Sequence, residues 1–392
     1  MTPNLLPAAQ SLKPRLIELR RAIHRQPELG FEVQRTAALV ARTLTELGVE
    51  VRTGVGRTGV VGYLGEGDGP VIAIRADMDA LPILEANAVD YASQVPGNMH
   101  ACGHDAHTAM LLGAAMLLSQ RGLAGQVRLI FQPSEEAFDA EGVSGAPRMI
   151  ADGALDGVDH VIALHVAPEL YTGTIAVETG QVNGADDTFL GHILGRAAHG
   201  AQPHRSIDAV WLAAQVLLAL YAVPARRVDP LQPAVLSLGI IRGGTASNII
   251  PDSVYLEGTL RSVDPGVREQ LLDEVRRCFE IARALGGDYD LDFQRGYPSL
   301  HNDPAVVGHI RQAAASLLGD DSLVPGKVAL GVEDFSYMAA HSPGAMFRLG
   351  VRLPGTAPRY VHTPGFDIDE DALPIGAALL AESALRLLAS PD

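Results

Sequence analysis

Three short apolar runs in the first half of the chain each hand over directly to polar residues of the kind that bind metal ions. VIAI (71–74) leads into RADMD, VRLIF (127–131) into QPSEE, and VIAL (161–164) ends on His165. Runs of four or five aliphatic and aromatic residues bounded by turn chemistry read as buried strands. Helical spacing of apolar residues fills much of the space between and before them, over 13–25, 33–47 (ending at Gly48) and 108–118. Strands alternating with helices predict an α/β fold with a mostly parallel, helix-covered sheet, and such sheets bind ligands at the carboxyl ends of their strands. Asp77, Glu135, Glu136 and His165 are all expected there. Independent strand ends then deliver metal-type side chains to one place.

The densest cluster is MHACGHDAHT (99–108), where His100, Cys102, His104 and His107 crowd around Asp105. A thiolate among imidazoles suits Zn²⁺ or a similar borderline ion. Cys102 and Cys278 are the only cysteines in 392 residues, which is no disulfide framework and fits a reducing compartment. The formal net charge of −16, with no Lys/Arg-rich run, argues against a nucleic-acid binder. The N-terminus lacks a basic stretch followed by an apolar one, and no segment is expected to span a membrane, so a cytoplasmic location is expected.

The chain is long for one hydrophobic core. Beyond Asn183 the pattern changes to strands at 189–196, 235–241 and 254–261 with helices at 207–221 and 267–285. This predicts an inserted α+β domain over 184–297, flanked by two parts of a first domain, 1–183 and 298–392.

The motifs are ordered along the whole chain: LRRAIHRQPELGFE, RADMDALP, MHACGHDAHT, FQPSEE, ALHVAPEL, AHGAQPH, GGTASNIIPD, GVEDFSYM and VHTPGFDIDE. In these the chain resembles the M20 metallopeptidases, and among them the amidohydrolase branch that includes N-acyl amino acid, hippurate and auxin-conjugate hydrolases. The resemblance implies an aminopeptidase-like catalytic domain interrupted by a smaller lid domain that dimerises. It implies two divalent ions, Zn²⁺ foremost, with Mn²⁺, Co²⁺ or Ni²⁺ as alternatives. Their ligands would be Cys102, His104, Glu136, His165 and His362, with Cys102 bridging. In related branches a histidine ligand stands near Asp77, and its absence here accounts for the use of Cys102.

By the same resemblance Glu135 is the general base, taking a proton from activated water and returning it to the leaving nitrogen. Two adjacent glutamates are expected to point apart and so divide the two jobs. His199 would donate to the developing oxyanion, from the partner chain of a homodimer. Asn248 and Arg261 would bind the substrate carboxylate, with His204 a weaker substrate contact than His199. Asp79 or Asp105 would orient a ligand imidazole or the base. His100 and His107 are read as supporting, and His24, His192, His301, His309 and His341 as structural. The implied reaction is hydrolysis of an N-acyl amino acid to a carboxylic acid and a free amino acid. The alternatives are a dipeptidase or carboxypeptidase with the same metal chemistry, a cysteine hydrolase using Cys102, and a binding protein without turnover. The sequence departs from the family pattern at residues 137–145, longer than the usual glycine-rich turn, and at Ala167, where an aromatic is common.

Overall fold

The computed structural model describes residues 4–390. Contacts divide the chain into two compact units. The first contains the residues up to Gly180, His301–Lys327 and the residues from Tyr337 onward; the second contains Gln181–Leu300 and Val328–Ser336.

The first unit begins with helix α1 (Leu6–His24), longer than apolar spacing alone predicts because Pro7 fits its first turn, and helix α2 (Gln34–Glu46). Strands β1 (Glu50–Val55), β2 (Gly59–Leu64) and β3 (Val71–Asp77) follow, then helix α3 (His104–Leu118), strand β4 (Gln126–Gln132) and strand β5 (His160–Tyr171). With Gly344–Arg352 and two short strands, Ile175–Ala176 and Leu323–Val324, these make one eight-stranded sheet. Its centre is parallel: β3 pairs with β4 and β5, and β5 with Gly344–Arg352. The β1–β2 hairpin, which apolar spacing does not announce because β1 is largely exposed, is antiparallel and joins β4 at the edge.

All 15 residues of α3 are buried. A helix apolar on every side belongs inside a core, and α3 packs against α1, the helix Ala372–Leu388 and β3.

One expectation is corrected in this unit. His165 does not end its strand, because β5 continues to Tyr171 and its later residues keep a partner in Gly344–Arg352. His165 is nevertheless level with the end of β3: the register Arg75 opposite Ala163, extended by two residues, sets Asp77 beside it.

The second unit is a four-stranded antiparallel sheet in the order Ala234–Gly243, Ser253–Ser262, Ala185–Leu194, Asp288–Arg295. Helices Ala209–Arg226 and Pro265–Ala284 pack on each other and on the sheet, around Phe189, Leu212, Val216, Leu256, Leu271 and Phe279. Asp208 and Asp264 cap their first turns through side-chain oxygens. No apolar run announces the strand Asp288–Arg295, although Tyr289, Leu291 and Phe293 alternate with exposed residues along it. The expectation that no segment is apolar enough to span a membrane also fails on composition. Helix Ala209–Arg226 passes that test, yet Leu212, Val216, Leu220 and Val223 are buried in the unit's own core.

Candidate functional site

The site is assembled at the carboxyl ends of β3 and β4, the N-terminus of α3 and the middle of β5. After β3, Asp79 is buried and turns its carboxylate toward the segment following β4, where Oδ1 accepts the Glu135 N–H and Oδ2 the Glu136 N–H, each at 3.0 Å. Ser134 just before them has φ 51°, a left-handed conformation uncommon outside glycine. This bend corrects the expectation that the two glutamates point apart. Carboxylate oxygens of Glu135 and Glu136 and a ring nitrogen of His104 lie within 4.8 Å of one another.

Cys102 precedes α3 and is joined to His104 by Gly103, whose φ is 93°. A Cβ on Gly103 would sit 2.6 Å from Val166 Cγ2, so only glycine lets the chain pass this close to β5 while turning Cys102 and His104 toward one centre. Cys102 Sγ lies 3.4 Å from His165 Nε2. His165 Nδ1–H donates to Val166 O at 2.8 Å, which leaves Nε2 as a lone pair facing the sulfur. His104 Nδ1–H donates to Asp79 O at 2.9 Å. Its Nε2 is buried without a hydrogen-bond partner, 3.7 Å from Asp77 Oδ2 and 4.0 Å from Glu136 Oε1.

His362 completes the cluster from a left-handed backbone, φ 60°, with its N–H bonded to Ala101 O at 2.7 Å. Its Nε2 is 3.1 Å from Glu136 Oε1.

Two of the triads whose donor atoms lie within 4.8 Å of one another contain Cys102: Cys102–His104–His165 and Cys102–Glu136–His362. They share the sulfur. A thiol, three imidazoles and a carboxylate form a donor set for borderline divalent ions. A buried imidazole nitrogen with no partner is the atom such an ion would satisfy.

Burial holds the Cys102 thiol above its ordinary pKa. Burial and the neighbouring His107 keep His165 well below the usual imidazole range, hence neutral. Burial works against protonation of His104, but the Asp77 carboxylate beside it prevails, with Cys102 and the Asp79 hydrogen bond adding to it, and raises it well above that range. Cys102 and Glu136 push His362 up to about 10.

His107 belongs outside the triads. Its Nδ1–H donates to Asp77 Oδ1 at 2.6 Å and its Nε2 accepts the Val166 N–H at 3.0 Å, so both ring nitrogens are committed. Asp105 also faces away: its Oδ2 takes Arg20 Nε at 2.8 Å and His24 Nδ1 at 2.7 Å, and it orients no imidazole of either triad. Of the two aspartates expected in an orienting role, Asp79 alone touches His104 and the glutamate turn. Ala167 is buried in β5 opposite Gly350. The loop 137–145 is folded on Asp139, which accepts the N–H groups of Glu141 and Val143 and pairs with Arg57 and Arg148 at 2.7 and 2.6 Å.

His199, Asn248 and Arg261 lie in the second unit. His199 pairs with Ile249 across a two-stranded ladder and Gly200 N–H donates to Asn248 O at 2.8 Å, which sets His199 and Asn248 side by side, both exposed. Arg261 is apart from them, in Ser253–Ser262, with Nη1 3.9 Å from Asp186 Oδ2. His204 is exposed in the short turn Pro203–Arg205. Sequence reasoning missed Gly103 as the link that shapes the site and Arg20 as the partner of Asp105. The Cys-Gly-His spacing signals the first; nothing near Arg20 in sequence signals the second.

Residues 73–386 match the model of peptidase family M20/M25/M40. The chain is 42% identical over 391 residues to the N-acetyl-L-cysteine deacetylase of Bacillus subtilis, covering 97% of this chain and 90% of that one. It is 41% identical over 378 residues to thermostable carboxypeptidase 2 of Saccharolobus solfataricus, covering 95% of each. Its structure is similar to that of the Bacillus subtilis YxeP protein, described as a dinuclear metal-binding peptidase of the M20 family. That match has a TM-score of 0.85 and 36% identity, and covers 97% of this chain and 99% of the other.

Proposed function

The chain belongs to peptidase family M20/M25/M40 and is a hydrolase, and from that premise we propose that it hydrolyses the amide bond of N-acyl amino acids to a carboxylic acid and a free amino acid. The observation that carries the metal-dependent part of this reading is the buried His104 Nε2, without a hydrogen-bond partner, in one of two triads that share Cys102 Sγ. Cys102, His104 and His165 would hold one divalent ion, and Cys102, Glu136 and His362 a second. Such ions act as Lewis acids toward the scissile carbonyl and lower the pKa of water beside it, to about 7 for Zn²⁺.

The chain's own groups do the rest. Asp79 holds the turn that carries Glu135 and Glu136, and at the same time fixes the His104 tautomer through its backbone oxygen. Glu135, 6% exposed, accepts a proton from water on one carboxylate oxygen and delivers it to the departing nitrogen. His199 donates a hydrogen bond to the developing oxyanion, and Asn248 and Arg261 bind the carboxylate of the amino acid product. The active form is a homodimer in which His199 comes from the partner chain. The exposed apolar face of helix Ala209–Arg226, with Trp211 at 49%, Leu218 at 71% and Tyr221 at 59% exposure, supports an association of the second units.

The name of the Saccharolobus relative supports a carboxypeptidase as the second reading. A hydrolysis screen of acetyl-, benzoyl- and indoleacetyl-amino acids beside dipeptides, on protein stripped by chelator and reloaded with Zn²⁺, Mn²⁺, Co²⁺ or Ni²⁺, tests both. Turnover of acyl amino acids that disappears on stripping and returns on reloading is the expected result. Cleavage of peptides alone moves the assignment to a peptidase, and activity that survives full stripping points to Cys102 as a nucleophile.

A further inference from the structure

The motif LRRAIHRQPELGFE near the N-terminus supplies no donor to either triad, yet two of its side chains are fully buried charges. Arg20 is 0% exposed and spends all three guanidinium nitrogens on carboxylates: Nε on Asp105 Oδ2 at 2.8 Å, Nη2 on Asp367 Oδ1 at 2.9 Å and Nη1 on Glu370 Oε1 at 3.3 Å. One turn along α1, His24 adds Nδ1 to Asp105 Oδ2 at 2.7 Å and Nε2 to Glu85 Oε1 at 3.2 Å. Asp105 is the residue after His104, and Asp367 and Glu370 follow His362 on the same segment. One guanidinium therefore bridges the two chain segments that carry a donor of each triad.

We infer that Arg20 is a positioning residue, tying the segment 362–370 to the start of α3 so that His362 is held over Cys102 and Glu136; this rests on the proposed metal reading. Three observations converge. The segment containing 362–370 has no helix or strand to fix it before Ala372, so point contacts must do so. Besides Arg20 these include the His362 N–H on Ala101 O at 2.7 Å, the Ala86 N–H on Pro364 O at 2.8 Å, Asn87 Nδ2 on Phe366 O at 2.7 Å and Tyr91 OH on Asp367 Oδ2 at 2.8 Å. They also include the Asp369 N–H on Val351 O at 2.9 Å, Thr172 Oγ1 on Asp369 Oδ2 at 2.7 Å and Arg21 on both Glu370 oxygens at 3.0 and 2.7 Å. Of these Arg20 alone also grips the start of α3 through Asp105. His362 itself needs restraint, since its φ of 60° is a left-handed conformation that strains a non-glycine residue. Lastly, buried ion pairs are poor devices for stability alone, because well-packed apolar residues often do as well. What the Arg20 fork adds is direction, with planar donors meeting carboxylates from two segments at fixed angles.

The test compares wild type, Arg20→Gln, Arg20→Lys and, as a control, Arg268→Lys. Arg268 is a buried arginine paired to Asp187 at 2.7 Å in the second unit, with no part in either triad. Three measurements are made on metal-free protein: melting temperature, amide hydrogen exchange over 361–370, and Zn²⁺ dissociation constants and stoichiometry by competition with a chromophoric chelator. In Arg20→Gln, exchange over 361–370 should rise and one of the two Zn²⁺ affinities should weaken about 10- to 100-fold, the usual effect of removing a group that orients a ligand. Arg20→Lys, which keeps the charge but not the fork, should fall between it and wild type. Arg268→Lys should lower the melting temperature and change neither other readout.

If Arg20→Gln loses stability as the control does while exchange and both affinities stay at wild-type values, Arg20 is structural only and the inference is wrong. Should Arg20→Gln fail to fold, Arg20→Lys decides by the same two readouts. A wild type that takes up no Zn²⁺ overturns the metal reading, and the exchange comparison still shows whether Arg20 holds the segment.

Discussion

Glu135 and Glu136 share one turn and one anchor, because their backbone N–H groups and not their carboxylates bind Asp79. Changing either side chain therefore leaves the turn in place, which makes the two assignments separable. Glu135→Gln keeps size and polarity but cannot accept a proton, so kcat should fall at least about 10²-fold with metal content unchanged. Loss of metal in that variant would exchange the roles of the two residues. A second residue-scale prediction concerns His24, which burial pushes toward the neutral form but which Asp105 and Glu85 outweigh, raising its pKa from 6.5 to about 9. A raised folded pKa stabilises the fold fully below pH 6.5, and that stabilisation is lost as pH climbs through about 9. The shift is worth about 3 kcal/mol. Urea midpoints should fall across this window in wild type, and His24→Gln should remove that part of the decline; parallel curves for the two proteins would exclude His24 as its source. At this scale Asp77, Glu135, Glu136 and His165 were readable as metal-type side chains because they follow apolar runs, and Cys102 and His104 because of their density in 99–108, whereas His362 entered only through the family resemblance. Arg20 was not readable, since its partners Asp105 and Glu370 are 85 and 350 residues away.

At the scale of elements, the join between Cys102 and α3 is the narrowest point of the site. Gly103→Ala places a methyl where Val166 Cγ2 already sits and forces alanine to φ 93°. The backbone term alone costs of order 1–2 kcal/mol, and relief by moving the chain would pull Cys102 from His165. The expected outcome is lower stability together with lower metal content. Gly122→Ala, with nothing within 4 Å of the added methyl, serves as the control and should change neither. Unaltered metal content in Gly103→Ala would show that the site tolerates a shift of the Cys102 backbone. Strand identity was readable from apolar runs, but strand length was not: β5 runs past His165 because the Gly344–Arg352 strand offers its later residues a partner. Pairing of that kind is a property of the sheet and leaves no local mark. Asp288–Arg295 was a different miss, an alternating pattern whose polar half dominated its composition.

For the whole molecule, the proposed dependence of each site on a partner chain gives a prediction that the contacts within one chain do not. Glu135 and His199 belong to different units. If His199 acts on the site of the partner chain, Glu135→Ala and His199→Ala homodimers should each be nearly inactive, and mixing them under subunit exchange should restore activity. In the mixed dimer the His199→Ala chain keeps its own Glu135 and receives an intact His199 from its partner, which makes one complete site; the other site carries both lesions. A lid that closes over substrate and excludes water would make this pairing necessary for turnover. The apolar face of helix Ala209–Arg226 gives the accompanying physical handle, because Leu218, 71% exposed, can be changed to Glu without disturbing the buried side of that helix. Leu218→Glu should shift the sedimentation of the protein toward the monomer and lower activity in step with the loss of dimer. Exchange verified by mass with no recovered activity would place His199 in its own chain's site or in none, and a fully active Leu218→Glu monomer would remove the need for a partner altogether.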